Sequence, residues 1–142
     1  MRHEVVTTVR APAELVWETI ASVERWPEWT PTVTAARRLD DGPLRVGART
    51  EVVQPGQPSR VWVVTELRDG ASFTWSSGGR ALRLTAGHAV RAGEDGEVTV
   101  ALSFAVSGPL APLAALTAGR TIRRLLGTEA ESLKRWCERQ RA

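Results

Sequence analysis

The chain has 142 residues, 42% hydrophobic and 25% charged, an ordinary globular balance with enough length to bury a sizeable core. No apolar run approaches ~18 residues, which excludes a membrane-spanning helix, and the one cysteine, Cys137, excludes an internal disulfide. The net charge is only +3, with 19 basic residues (all arginine except Lys134) scattered among 16 acids, so no nucleic-acid face is expected.

Met1-Arg2-His3-Glu4 leads straight into a strand-like alternation, so no signal peptide is expected and the expected compartment is the cytoplasm. His3 to Arg10 reads as a first strand. Ala11-Pro12-Ala13-Glu14 opens a helix, with Pro12 near its first position and Leu15, Val16 and Ile20 on its buried face through Ala21. In SVERWPEWTPTV the residues before Pro27 and Pro31 are held extended or in turns, so only a short helix fits.

From Val33 the apolar pattern changes to period two. Strands are expected at 32–39, 48–54, 60–67, 72–76, 82–91 and 98–106, divided by Gly- and Pro-bearing turns. Pro109 and Pro112 then mark the start of a long amphipathic helix running from Leu110 to Arg141. Its apolar stripe is Leu113, Leu116, Ile122, Leu125, Leu126, Ala130, Leu133, Trp136 and Cys137, close to a 3.6-residue period. Such a rod is longer than a small domain needs for a core helix, so it is expected to lie across a sheet.

Short connections favour an antiparallel meander. Parity puts Leu84, Ala86, His88 and Val90 on one side of their strand, and Val100, Leu102, Phe104 and Val106 on one side of the next. Phe73 and Trp75 share a side, and so do Val61 and Val63, which leaves Trp62 for the outer face. One sheet face is therefore apolar and needs a cover.

These residues resemble a known family. The opening A-P-x-x-x-V-W (Ala11, Pro12, Val16, Trp17), the W-P-x-W of Trp26, Pro27 and Trp29, the run VWVVTELRDGASFTW and the closing TEAESLKRW are similar to the START/Bet v 1-like (SRPBCC) helix-grip superfamily, within it the polyketide cyclase/dehydrase-like group. The resemblance implies one α+β domain over 1–142: a curved seven-stranded antiparallel sheet wrapped around a long C-terminal helix, with two short helices between strands 1 and 2. It implies an apolar cavity between helix and sheet. It does not imply one reaction, because fold membership is weak evidence for chemistry.

His88 is a polar residue among apolar neighbours on the inner face. Its imidazole fits a satisfied core histidine, a ligand contact, or a general acid or base. Arg120 follows the stripe toward the expected cavity mouth, where a guanidinium would hold a carboxylate or phenolate; the alternative is snorkelling to solvent with Arg123 and Arg124. Trp29 and Trp75 offer flat rings for a planar hydrophobic ligand, or simple core packing. The expected cavity wall is Trp29, Val63, Trp75, Leu84, His88, Phe104, Leu113, Leu116 and Arg120.

His3, His88 and Cys137 have no metal-ligand spacing, and no P-loop, dinucleotide fingerprint or nucleophile elbow is present, so no cofactor is expected. Cys137 on the apolar stripe reads as a buried small hydrophobe rather than a nucleophile. The reading that follows is a binder of a small hydrophobic, lipid- or polyketide-like molecule in a cavity of several hundred Å³. The alternative is an aromatase/cyclase-type enzyme with His88 as acid/base and Arg120 as anchor. Oligomeric state is not fixed by the sequence.

Overall fold

A computed structural model of the protein describes residues 1–141, Arg141 by its backbone alone. The strands are β1 (Arg2–Val9), β2 (Ala35–Arg38), β3 (Arg49–Val53), β4 (Arg60–Arg68), β5 (Ser72–Gly78), β6 (Arg83–Ala92) and β7 (Val98–Ser107). Helix α1 (Ala13–Ala21) and a 3-10 helix (Val23–Glu28) follow β1, and α2 (Ala111–Arg141) closes the chain. All strand pairs are antiparallel, in the order β1-β7-β6-β5-β4-β3-β2. This is the helix-grip architecture expected from the sequence. The strand expected at 32–39 is shorter, because Pro31 and the buried hydroxyl pair Thr30–Thr32 keep its first residues in a loop.

The core is continuous from α1 across the inner sheet face to the C-terminal half of α2. Val9, Ile20, Phe73, Leu102, Leu133 and Cys137 are all essentially fully buried in it. Pro27 inside the 3-10 helix has no N–H to donate, and the Trp26 indole N–H donates to the carbonyl of Ile20 at 3.0 Å. That bond fixes the Trp26 ring against the sheet.

The facing of β4 differs from the parity reading. Trp62 is 5% exposed and faces inward with Val64, whereas Val61 is 41% exposed and Val63 lies on the other side of the strand. A single indole carries more apolar area than either valine, so burying Trp62 outweighs burying the pair. The β4–β5 register then shifts between Val64 and Glu66, which returns Leu67 to the inner face opposite Phe73.

Helix α2 has 31 residues, a rod of roughly 46 Å. Its start is tied where the Leu110 N–H donates to the Ala81 carbonyl at 3.0 Å, and its C-terminal half by side chains. Glu138 accepts the backbone N–H of Arg10 at 2.9 Å, Lys134 donates to the carbonyl of Thr8 at 2.7 Å, and the Cys137 thiol lies 3.7 Å from the Thr19 hydroxyl. Burial pushes the Cys137 thiol up, away from thiolate chemistry. In its first turns Ala111 is buried and Ala114, Ala115, Ala118 and Gly119 are half-buried, while Leu113 and Leu116 are 59% and 84% exposed on the other side of the helix. The buried side therefore runs through the small residues Ala111, Ala114 and Ala118 to Ile122, and Leu113 falls about half a turn away from it.

Candidate functional site: a tryptophan-walled cavity

Between the inner sheet face and the middle of α2 lies a cavity of about 100 Å³. Its walls are the indoles of Trp26, Trp62 and Trp75, with Phe104 from β7 and Ile122 and Leu126 from α2. The rings form one connected set: Trp26 and Trp75 centroids are 5.3 Å apart, Trp62 and Trp75 5.6 Å, and Trp62 and Phe104 6.3 Å. Each element contributes by alternation, since β4, β5 and β7 place Trp62, Trp75 and Phe104 on the same face. Gln54, Gln57 and the half-buried Arg60 also line it and supply the polar portion of its rim. Larger hollows of about 400 Å³ beside α1 and about 310 Å³ near Pro12 are open surface troughs, the first lined by Glu18, Glu24, Arg25 and Arg38. Neither encloses an apolar guest.

His88 sits at the floor, 5% exposed, directly opposite Phe73 in the β5–β6 register. Its ring stacks on Phe73 at 4.2 Å and lies 5.4 Å from Trp26. Nδ1 is 3.2 Å from the Phe73 carbonyl, which can only accept, so Nδ1 carries the proton and Nε2 is left as an unprotonated acceptor. Burial lowers its pKa to about 4, outweighing the upward pull of that carbonyl. The imidazole is neutral at physiological pH.

Glu129 is the one carboxyl lining the cavity. Residue-wide it keeps partial exposure, but its carboxyl is enclosed enough that burial raises its pKa to about 7. Among the described residues no hydrogen bond or ion pair reaches it.

Of the residues expected at the site, Trp75, Leu84, His88 and Phe104 line this cavity. The others lie elsewhere. Trp29 is buried on the far side of Trp26, in a small hollow with Leu15, Thr19 and Trp136. Val63 faces away because Trp62 took the inner position. Leu113, Leu116 and Arg120 are exposed on the solvent side of α2, away from the side on which Ala114, Ala118 and Ile122 are half-buried. The enclosed volume is also smaller than the several hundred Å³ expected, because three indoles fill much of the gap. Sequence reasoning missed Trp26, Trp62, Arg60 and Glu129. Glu129 had a readable signal: Ile122, Leu126, Glu129, Leu133 and Trp136 recur at helical spacing, an acid within an apolar stripe.

The model of the polyketide cyclase / dehydrase and lipid transport family matches residues 2–138. The chain belongs to this family. A search of curated proteins found no match. Among solved structures, a hypothetical protein from Helicobacter pylori aligns with a TM-score of 0.77 at 15% identity, over 96% of this chain and 86% of that one. The di-domain ARO/CYC StfQ from the steffimycin biosynthetic pathway aligns with a TM-score of 0.70 at 20% identity, over 97% of this chain and 45% of that one. The di-domain ARO/CYC BexL from the BE-7585A pathway gives 0.70 at 18% over 95% and 45%. At such identities the likeness establishes the shared fold. In this member of the polyketide cyclase / dehydrase and lipid transport family no group of His, Cys, Asp or Glu that could hold a metal is found among the described residues. Among them, too, no helix is long and apolar enough to cross a membrane.

Proposed function

We propose that the protein binds a small hydrophobic, ring-bearing molecule of lipid- or polyketide-like kind in the cavity between α2 and the sheet. The observation that carries this reading is the set of contiguous indoles, Trp26, Trp62 and Trp75, around an enclosed space rather than around one another's filled centre. Flat apolar walls with a few polar groups are what such a ligand requires. The family description, with its polyketide and lipid members, supports it.

A volume of about 100 Å³ admits a single ring.

The test is Ala86→Phe, which puts a ring into the cavity from β6. Calorimetric titration with benzyl alcohol is expected to show binding to the parent protein and on the order of a tenfold loss in the variant. Equal binding by both proteins contradicts the assignment. A cyclase reading stands second, favoured by one observation: the free Nε2 of His88 at the cavity floor. Arg120, its expected anchor, lies outside the site. Recovered ligand separates the two readings, since a binder returns a polyketide mimic unchanged and a cyclase returns it short of water.

A further inference from the structure

Acids and bases are interspersed along most of the chain, but two stretches hold no acid: residues 70–93, between Asp69 and Glu94, and residues 98–128, between Glu97 and Glu129. The fold brings them together. Strands β6 and β7 pair directly. The turn at Gly108 then packs so closely on the β5–β6 connection that a Cβ there would lie 2.6 Å from the Ala81 carbonyl oxygen. Arg80, before β6, and Arg83, at its start, therefore stand exposed beside the first turns of α2.

Successive helix residues are about 100° apart, so Leu113, Leu116, Arg120, Arg123 and Arg124 fall within an arc of about 100°. All five are exposed, on the side of α2 opposite Ala114, Ala118 and Ile122. Leu110, 48% exposed, extends the apolar part of this face toward Arg80. Elsewhere on the surface arginines pair with acids, as Arg2 does with Glu4, Arg25 with Glu28 and Arg37 with Glu51. Among the described residues the five arginines of this face have no acidic partner. Arg120 with Arg123 and Arg124 are like charges at helical neighbour spacings, which repel. A single exposed leucine needs no explanation. Three on one face, bordered by unpaired charge of one sign, do.

We propose that this face of α2, with the adjoining β5–β6 connection, docks on a lipid bilayer that carries anionic headgroups. Phosphate-bearing headgroups would meet the guanidinium groups and relieve their repulsion, and the acyl boundary would take the leucines out of water. A nucleic acid offers the phosphates but leaves the leucines in water. An acidic protein would need pockets for them, and α2 presents no aromatic anchor before Trp136. The same turns carry Ile122 and Leu125 into the cavity wall, so docked face and cavity share one piece of helix. The docking does not depend on what the cavity binds.

The test is flotation of the whole protein with vesicles of phosphatidylcholine alone or with about one-third phosphatidylglycerol. Partition into the anionic vesicles is expected to be at least about tenfold stronger, and to fall at least about fivefold when salt is raised from about 0.1 M to about 0.5 M. Arg123→Gln with Arg124→Gln is expected to weaken it about tenfold or more. Leu113→Ser with Leu116→Ser is expected to weaken it about tenfold. Arg139→Gln, exposed near the far end of the same helix, is expected to leave it unchanged.

Equal partition into both kinds of vesicle, or into neither, overturns the proposal, and this arm needs no variant to fold. Parental binding by the leucine double variant does so too, since charge alone would then account for the contact. Binding to a DNA duplex as tight as to the anionic vesicles would assign the face to nucleic acid instead.

Discussion

Phe73→Ala is expected to destabilise the protein by about 4 kcal/mol and to lower the thermal midpoint by about 10 °C, measured by calorimetry. Phe73 is fully buried at the point where α1, the sheet and the cavity floor meet. It stacks on His88, and its ring meets Trp75 edge-on at 5.2 Å and Trp17 at 6.3 Å. The variant loses the transfer energy of a phenyl ring and leaves a hole that its three ring neighbours cannot all relax into. The backbone carbonyl that holds His88 remains, so the imidazole keeps its bond but loses its lid. A loss below about 1 kcal/mol would mean that the floor is not packed as described.

The second large effect is a pair of opposed pH dependences. His88 falls from 6.5 to about 4 on folding, so its contribution to stability is present above about 6.5 and is lost as pH falls through about 4. Glu129 rises from 4.5 to about 7, so its contribution is present below about 4.5 and is lost as pH rises through about 7. Each shift corresponds to roughly 3 kcal/mol. Between about pH 4.5 and 6.5 the two slopes have opposite sign and nearly cancel. Urea unfolding of the parent protein is therefore expected to show little slope from these groups in that window. In Glu129→Gln the His88 slope stands alone: stability relative to the parent is expected to rise by roughly 3 kcal/mol from pH 4.5 to pH 8. Parallel stability curves for the two proteins would show that Glu129 is hydrated in the folded state.

Much of the architecture was legible from turn chemistry and period. Asp69-Gly70 announced the β4–β5 hairpin, and Gly70 adopts the φ of 79° that such a turn demands. Pro109 and Pro112 placed the start of α2 to within a residue of Ala111. The site was legible only where strand parity was unambiguous, as for Trp75, Leu84, His88 and Phe104. It failed at β4, where two valines and one tryptophan competed for the inner face and a bulge broke the alternation beyond them. It failed on α2 as well. In its first turns the buried side is carried by small residues, Ala111, Ala114 and Ala118, so the bulkier Leu113 and Leu116 drew the stripe to the wrong side and placed Arg120 with them at a cavity they do not face. Trp26 and Trp29, three residues apart in one short segment, are divided by a hydrogen bond from the Trp26 indole to Ile20 that no pattern announces.

The six tryptophans serve as built-in reporters, and the cavity is walled by Trp26, Trp62 and Trp75 while Trp17 and Trp136 lie outside it. Indole N–H signals followed by proton–nitrogen NMR during titration with benzyl alcohol therefore address the ligand site directly. Saturable shifts at Trp26, Trp62 and Trp75, with Trp17 and Trp136 unmoved, are the predicted result. Shifts confined to Trp17 and Trp136, or no saturable shift at any indole, would contradict it.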